Sequence, residues 1–233
     1  MIGKKICKFD TLESTNNYIK QNINILKHGD VVLARVQTKG RGRFGNTWDS
    51  VDGNLYFSVL LKQVLSREDV FIYTIKSSVA LVRTLNHYNI ESKIKYPNDI
   101  LVNDKKISGI LIESSGYENI DYIVLGIGLN VNQRLFYGLQ EKATSMGLQT
   151  NNVYDIDDIL NQFTIQYNGL NSKESVYEEY IKYSMLLNTT VSYGDEQYLV
   201  KSIDYQGNIK LINNKMAKTV SYNNISFANN YKK

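Results

Sequence analysis

An arginine- and glycine-rich stretch is the first feature of this sequence that could do chemistry. Residues 40–45 read Gly-Arg-Gly-Arg-Phe-Gly, and Lys39 precedes them. The spelling matches the G-x-G-x-x-G fingerprint of dinucleotide-binding folds, but that fingerprint opens directly into a helix, whereas a strand-like run follows here at 54–61. The dinucleotide interpretation is therefore rejected. Glycine lets the backbone approach a ligand and arginine offers planar donors, so the stretch suits a loop that binds phosphate or carboxylate. A solvated surface loop is the commoner explanation for an arginine- and glycine-rich stretch taken by itself.

The energetics of this loop predict that it behaves as a lid. Three cations, Lys39, Arg41 and Arg43, each about 4 Å from an anion, would gain about 4 kcal/mol apiece at an effective dielectric of about 20. Ordering roughly ten loop residues costs about 1–2 kcal/mol each. Because the two quantities nearly balance, we expect the loop to be mobile when empty and ordered over an anionic ligand.

A second set of polar residues surrounds the single proline, in the sequence Lys-Tyr-Pro-Asn-Asp at 95–99. Pro97 holds the preceding residue extended and fixes the direction in which Asn98 and Asp99 project, although a plain turn is an equal alternative. Downstream, Lys106 stands at the entry to an apolar strand, where burial beside Gly109 could hold its ammonium group against an anion. Solvent exposure is the usual alternative for a lysine in a hairpin.

Two glycines lie near the end of the apolar run YIVLGIGLNV, residues 122–131. Gly126 and Gly128 are two apart, so they share a face of the strand and would admit a planar ring or a second backbone. A β-bulge is the alternative explanation. Asn130 could supply an amide for hydrogen bonding beside them.

The elements that must position these residues are mixed helices and strands. Apolar spacing predicts helices over 14–27 and 71–88 and two more after residue 154, the second one including Leu187. Strand-like runs occupy 30–37, 54–61, 93–96, 100–102, 107–114 and 122–131, and short alternating segments separated by turn residues follow from Thr189 to Phe227. Because strands and helices do not alternate strictly, the sequence predicts an α+β fold ending in a small β-barrel.

Composition excludes several classes of protein. The chain has 233 residues, 42% of them hydrophobic, and a formal net charge of +4, which suits a globular protein better than one that wraps nucleic acid. One cysteine and two isolated histidines argue against disulfide scaffolds, zinc sites and Ser-His-Asp triads. Neither a signal peptide nor an apolar run of membrane-spanning length is evident, so we expect a cytoplasmic protein without membrane partners.

Taken in order, the motifs resemble those of the bacterial biotin–protein ligases. The resemblance is carried by Glu13-Ser14-Thr15-Asn16, by the segment from Gln37 to Trp48, by Lys95 to Asp99, by Lys106 to Glu113 and by Gly126 to Asn130. Three further segments also resemble the family pattern: Ala143 to Ser145, Val200 to Leu211 and Tyr222 to Ser226. Two positions depart from the pattern, since Asn46 stands for an arginine and Tyr96 for a tryptophan.

The resemblance implies a fold and a set of site residues. The fold would be α+β, a class II synthetase-like mixed β-sheet catalytic domain over residues 1–187, followed by a small SH3-like β-barrel over 188–233. Biotin would contact Ser14, Thr15, Asn16, Gln37, Gly40, Arg41, Arg43, Lys106 and Gly109. The nucleotide would contact Arg41, Arg43, Trp48, Asn98, Gly126, Gly128 and Asn130. Lys106 and Arg43 would be catalytic, with Asp99 a weaker candidate for steering or deprotonating the acceptor lysine, and no residue would bind a metal directly.

The resemblance also implies a reaction. Biotin and ATP would form biotinyl-AMP and pyrophosphate, with Mg2+ bound chiefly through the phosphates, and a lysine of a biotin carboxyl carrier protein, from acetyl-CoA carboxylase or a similar enzyme, would then take the biotin. Because the first motif begins at Glu13, we expect no DNA-binding domain and no DNA partner, while a homodimer is possible. A lipoate–protein ligase and a non-catalytic biotin or nucleotide sensor are the alternatives.

Overall fold

The computed structural model describes residues 1–116 and 119–221, and a seven-stranded mixed sheet forms its centre. The spatial order of the strands is β1-β2-β3-β7-β6-β5-β4. Strands β1 and β2 pair in parallel and the remaining neighbours pair antiparallel. The strands are β1 (Ile6–Leu12), β2 (Val31–Gln37), β3 (Leu55–Leu65), β4 (Lys93–Lys95), β5 (Asp99–Val102), β6 (Lys105–Ser115) and β7 (Ile120–Leu129). The predicted mixed sheet is confirmed, and β1 is a strand that the sequence analysis did not identify.

Helices cover the two faces of this sheet unequally. They are α1 (Thr15–Gln21), α2 (Phe71–His87), α3 (Met146–Thr150), α4 (Ile156–Gly169) and α5 (Lys173–Tyr183). Alternate strand residues such as Val59 and Leu125 join α2, α4 and α5 in the main hydrophobic core. Their neighbours Leu60 and Val124 pack with Ile19 of α1 on the opposite face. Because successive side chains of a strand point to opposite faces, one face of the sheet packs against a large core. The other face is only partly covered, by α1.

Two helix boundaries differ from the prediction. The helix expected over 14–27 ends at Gln21, because the side chain of Asn22 donates to the carbonyl of Tyr18 at 2.9 Å and the following residues form turns. Leu187 lies beyond α5, which ends at Tyr183 where Ser184 takes an extended conformation. The helix predicted over 71–88 is confirmed, with Ile75 and Val79 fully buried.

A second, four-stranded antiparallel sheet follows the helices. It consists of β8 (Thr190–Tyr193), β9 (Glu196–Ile203), β10 (Ile209–Ile212) and β11 (Ala217–Val220), in the order β11-β10-β9-β8. We call it the C-terminal sheet. It agrees with the small SH3-like unit expected at this end of the chain, while Tyr222 to Ser226 lie outside the described residues.

Across residues 1–116 and 119–221, every helix is too short or too polar to cross a lipid bilayer.

Candidate functional site

A cleft of about 300 Å³ opens on the partly covered face of the large sheet. Its wall is formed by the start of α1, the end of β2, the strands β6 and β7, the loop of residues 39–47 (the arginine loop) and the 95–99 segment between β4 and β5. The structure brings together, along this wall, most of the residues singled out in the sequence: Thr15, Asn16, Gln37, Arg41, Arg43, Trp48, Asn98, Asp99, Lys106, Gly109, Gly126 and Gly128.

Three predicted site residues do not line the cleft. Ser14 and Asn130 are buried beside it, with 4% and 5% of their surface exposed. Asn130 donates its side-chain amide to the carbonyl of Thr144 at 3.0 Å, so the side chain holds the backbone after β7. Gly40 lies against the backbone of Trp48, where a Cβ would stand 2.3 Å from the Trp48 carbonyl oxygen. The structure therefore gives these three residues supporting positions.

One end of the cleft is a connected set of hydroxyl and amide groups. Gln37 Oε1 accepts from the backbone N–H of Thr15 at 2.9 Å and from the Thr15 hydroxyl at 3.2 Å. Gln37 Nε2 donates to Ser50 Oγ at 3.1 Å. The hydroxyl of Ser58, in the middle of β3, lies 2.6 Å from Thr15 Oγ1 and 2.5 Å from Asn16 Oδ1. This end presents fixed polar groups of the kind that orient a small ligand.

The glycines of β6 and β7 make room for two side chains. A Cβ on Gly126 would lie 2.2 Å from Asn16 Oδ1, and one on Gly128 would lie 2.5 Å from Cε2 of the Trp48 ring. Gly109 meets the same ring, since its Cβ would lie 2.8 Å from Cζ3. Gly126 therefore faces an amide, and the planar ring expected beside these glycines lies against Gly128 and is that of Trp48. Its buried Nε1 has no hydrogen-bond partner among the described residues.

The two predicted catalytic side chains of the β5–β6 hairpin form an ion pair. Asn103 and Asp104 have φ values of 51° and 61°, the left-handed conformation of a tight two-residue turn. This turn brings β5 and β6 together so that Lys106 Nζ lies 2.7 Å from Asp99 Oδ1, and the ammonium group also lies 5.2 Å from the centre of the Trp48 ring. The charge of Lys106 is therefore balanced within the cleft.

The arginine loop supplies two cations to the cleft rather than three. Arg43 Nη1 donates to Asn98 Oδ1 at 3.0 Å, and Asn98 in turn donates to the carbonyl of Ile110 at 2.7 Å. Lys39 points elsewhere, because its ammonium group pairs with Glu13 at 2.7 Å and is largely exposed. An anion in the cleft would therefore be attracted by two cations of the arginine loop, and not by the three that the sequence predicts.

Glu113 of β6 is a residue to which the sequence analysis gave no role. Its carboxylate accepts from Asn16 Nδ2 at 2.8 Å and from Lys20 Nζ at 3.0 Å, and it pairs with the guanidinium of Arg41. Burial favours the neutral acid, but the hydrogen bonds from Asn16, Arg41 and Lys20 together outweigh it and lower the pKa of Glu113. Glu113 thus links α1 to the arginine loop. Its place in the motif from Lys106 to Glu113 was the available signal.

No group of three or more histidine, cysteine, aspartate or glutamate side chains within residues 1–116 and 119–221 is arranged to hold a metal ion. Asp99 is the carboxylate of the cleft wall, and it is paired with Lys106.

The amino-acid sequence of this chain is similar to those of known protein ligases. Residues 8–130, more than half of the chain, match the Biotin/lipoate A/B protein ligase family. The bifunctional ligase/repressor BirA of Bacillus subtilis is 35% identical over 138 residues, which are 58% of this chain and 42% of that protein. BirA of Escherichia coli is 31% identical over 135 residues, 57% of this chain and 42% of that protein. The chain thus spans less than half the length of these curated relatives.

The fold has a close counterpart among solved structures. The biotin protein ligase from Aquifex aeolicus, solved in complex with biotin and ATP, superimposes with a TM-score of 0.79, covering 94% of this chain and 96% of that chain at 24% identity. At that identity the likeness concerns the fold.

Proposed function

The chain belongs to the biotin/lipoate A/B protein ligase family, and on that premise we propose that it is a biotin–protein ligase. It would activate biotin with ATP and transfer it to a lysine of a biotin carboxyl carrier protein. The observation that carries the proposal is the cleft itself, whose wall includes the cations Lys106, Arg41 and Arg43 together with a polar end built by Thr15 and Gln37. A further relative, 34% identical over 128 residues, carries the name biotin–protein ligase 1 of Arabidopsis thaliana, and this name supports biotin as the substrate.

The first step joins two anions. An oxygen of the biotin carboxylate attacks the α-phosphorus of ATP, the bond to the β-phosphate breaks, and pyrophosphate leaves as biotinyl-AMP forms. Lys106 and Arg43 would neutralise the reactants and the negative charge that develops on the phosphoryl oxygens. Since Asp99 already holds the Lys106 ammonium, that cation is in place before the anions arrive. The chain would contribute by positioning and electrostatic stabilisation, without a covalent enzyme intermediate.

Biotin has a ureido ring with two N–H donors and one carbonyl acceptor, and the polar end of the cleft suits it. Thr15 and Gln37 contribute a hydroxyl and an amide group that hold each other, and the buried Ser58 hydroxyl bonds Thr15 from beneath the cleft wall. Because these groups are already ordered, little conformational entropy would be lost on binding. We assign the ureido ring to this end and the carboxylate to the side of Lys106 and the arginine loop.

The second step transfers biotin to the carrier. The amine of the acceptor lysine attacks the carbonyl carbon of the mixed anhydride, an amide forms, and AMP leaves. The amine must lose protons, and Asp99 is our candidate for steering or accepting one. Its ion pair with Lys106 keeps the carboxylate oriented towards the cleft.

Mg2+ would accompany ATP. The cleft wall offers the carboxylate of Asp99, already paired with Lys106, and no group of acidic side chains beside it in the described part of the chain. This donor set suits a Mg2+ ion held chiefly by the phosphates and water, so we assign no step to a protein-bound metal.

The remaining assignments concern the whole molecule. We propose a catalytic domain over residues 1–187 and a small domain over 188–233, the second beginning just before β8 (Thr190–Tyr193). The carrier of acetyl-CoA carboxylase or a similar enzyme as acceptor, a cytoplasmic location and a homodimer remain predictions.

The test is transfer of labelled biotin to a carrier domain in the presence of ATP. A biotin ligase labels the carrier and loses this activity when the carrier lysine is replaced by arginine. A sensor would bind biotin without labelling the carrier, and that result would overturn the proposal.

A further inference from the structure

The 95–99 segment, which carries two polar side chains into the cleft, is tied to the rest of the molecule by tyrosine hydroxyl groups. Tyr96 is buried, with 4% of its surface exposed, and its hydroxyl donates to the carbonyl oxygen of Gly207 at 2.5 Å. The hydroxyl of Tyr180 in α5 donates to the carbonyl of Pro97 at 3.1 Å. The first of these bonds crosses from the catalytic sheet to the C-terminal sheet.

The group that accepts the Tyr96 hydrogen bond is itself held firmly. Gly207 lies in the turn between β9 and β10, and Asp204 Oδ1 accepts from the backbone N–H groups of Gln206 and Asn208 at 3.0 and 2.7 Å. Gly207 has a φ of 81°, and a Cβ there would lie 2.8 Å from the Phe71 ring. Glycine is therefore required at this turn, and the carbonyl that receives Tyr96 has a fixed position.

The side chains that follow Tyr96 contact the charged groups of the cleft. Asn98 accepts from Arg43 at 3.0 Å, and Asp99 pairs with Lys106 at 2.7 Å. A shift of the 95–99 segment would move both contacts together. Displacements of about 1 Å in a reacting group can cost roughly a hundredfold in rate.

We propose that Tyr96 is a positioning residue for the adenylation step, an inference that rests on the proposed function. Its hydroxyl, bonded to Gly207, holds the 95–99 segment so that Asn98 and Asp99 meet Arg43 and Lys106. The C-terminal sheet thereby contributes to the chemistry of a cleft that it does not line. The tryptophan of the resembled family pattern lacks this hydroxyl, so the bond depends on the tyrosine that this chain has at position 96.

The test compares Tyr96→Phe with Tyr177→Phe. The Tyr177 hydroxyl donates to the carbonyl of Ile203, so the control loses a tyrosine–carbonyl bond to the same sheet without releasing the 95–99 segment. Both variants should unfold at similar temperatures. We expect kcat for biotin-dependent ATP–pyrophosphate exchange to fall about tenfold in Tyr96→Phe relative to Tyr177→Phe, with the KM for biotin changed by less than about twofold, because the polar end of the cleft is untouched.

Asp204→Ala, which loosens the turn around Gly207, provides a second variant with the same expected change if Tyr96→Phe does not fold. The comparison applies when the wild type is active. If the kcat of Tyr96→Phe, or of Asp204→Ala in its place, equals that of Tyr177→Phe, the positioning role is overturned. The positioning role is also overturned if kcat falls and the KM for biotin rises by the same factor.

A ligand-free measurement separates this proposal from the proposed function. Trp48 is the single tryptophan of the chain, and its ring lies beside Lys106, the partner of Asp99. Tyr96→Phe should therefore change the emission maximum or the acrylamide quenching of Trp48, while Tyr177→Phe should match the wild type. If the wild type shows no biotin-dependent exchange, the proposed function fails. The fluorescence of Trp48 then tests whether Tyr96 positions the 95–99 segment. Identical fluorescence in the two variants then overturns the positioning role.

Discussion

At the scale of single residues, the charge of Lys106 is balanced before any substrate binds. Asp99 accepts its ammonium group at 2.7 Å, and the Trp48 ring lies beside it. An anion entering the cleft therefore meets a cation whose position is fixed. The Asp99 carboxylate partly neutralises the charge of that cation. This arrangement lowers the cost of holding a lysine in a half-buried site and keeps its ammonium group oriented, as the proposed adenylation requires.

Lys106→Ala is expected to leave a folded protein in which biotin-dependent pyrophosphate release falls about a hundredfold or more, since a cation is lost where two anions meet. Lys105→Ala is the matched control, because the neighbouring lysine donates to the carbonyl of Gln140 outside the cleft wall. Pyrophosphate release close to the wild-type rate in folded Lys106→Ala would contradict the assigned role.

Glu113→Gln tests the link between α1 and the arginine loop. Because the pKa of Glu113 is lowered in the folded protein, its ionised form stabilises the fold above the pKa of an unfolded glutamate, about 4.3. That stabilisation is lost as pH falls through the lower folded pKa. We expect the wild type to melt about 2–4 °C above Glu113→Gln at pH 7 and the gap to close in the acidic range.

The matching measurement is circular dichroism melting between pH 7 and pH 3, with Glu91→Gln as the control at an exposed carboxylate. A gap that stays the same at both ends of this range would show that the charge of Glu113 does not stabilise the fold.

The glycines, the arginines and the residues after the single proline could be identified from the sequence because these residue types are local signals. Other cleft residues were identified only through the family resemblance: Thr15, Asn16, Gln37 and Trp48. Two residues that support the cleft were not identified, since their roles arise only from pairing: Ser58 gave no signal, and the place of Glu113 in a motif did not show what it would bind. Ser58 meets Asn16 across 42 positions of the chain, and Glu113 meets it across 97. Such contacts depend on the packing of α1 against the sheet, which no local pattern specifies.

At the level of elements, the arginine loop contacts the rest of the protein through the side chains of Lys39, Arg41 and Arg43. Its backbone closes on itself, since Trp48 N–H donates to the carbonyl of Gly40 at 3.0 Å and Gly42 N–H to that of Asn46 at 2.7 Å. Phe44 at its tip has a φ of 55° and is 78% exposed. The closure over a ligand would fall to Arg41 and Arg43, because Lys39 lies outside the cleft.

We expect amide hydrogen exchange in residues 39–47 to slow when biotinyl-AMP binds, because the adenylate phosphate attracts the two arginines. Arg43→Ala should release biotinyl-AMP faster than Lys39→Ala, whose removed cation pairs with Glu13 instead. Equal exchange with and without the adenylate would refute the lid behaviour.

Strands and helices were predictable where apolar residues alternate or recur strongly, as in α2, β6 and β7. Strand β1 was missed because much of it is exposed and its parallel pairing with β2 leaves no hairpin signal. The first helix was predicted too long, because Asn22 uses its side chain to bond the preceding turn and ends α1.

At the level of the whole molecule, the C-terminal sheet contacts the catalytic sheet on one side and exposes charged side chains on another. Its turn at Gly207 receives Tyr96 and so connects to the cleft, a contact 111 positions apart in the chain that the sequence could not indicate. Its exposed face includes Lys201 and Lys210, which contribute nothing to the cleft wall.

Lys201→Ser and Lys210→Ser are expected to slow transfer of biotin from preformed biotinyl-AMP to the carrier more than they slow adenylation. The carrier must place one lysine within reach of the anhydride, so its docking surface affects the second step. Single-turnover rates of the two steps provide the comparison. If both substitutions alter the two steps equally, or neither step, the exposed face has no part in carrier docking.

Pyrophosphate release with biotin or with lipoate as the acid shows which acid this cleft activates, because the matched family covers both biotin and lipoate protein ligases. The wild-type protein with ATP and Mg2+ should release pyrophosphate with biotin, should release little with lipoate, and should lose the biotin-dependent signal in Lys106→Ala. Release with lipoate and none with biotin would show that the cleft does not activate biotin.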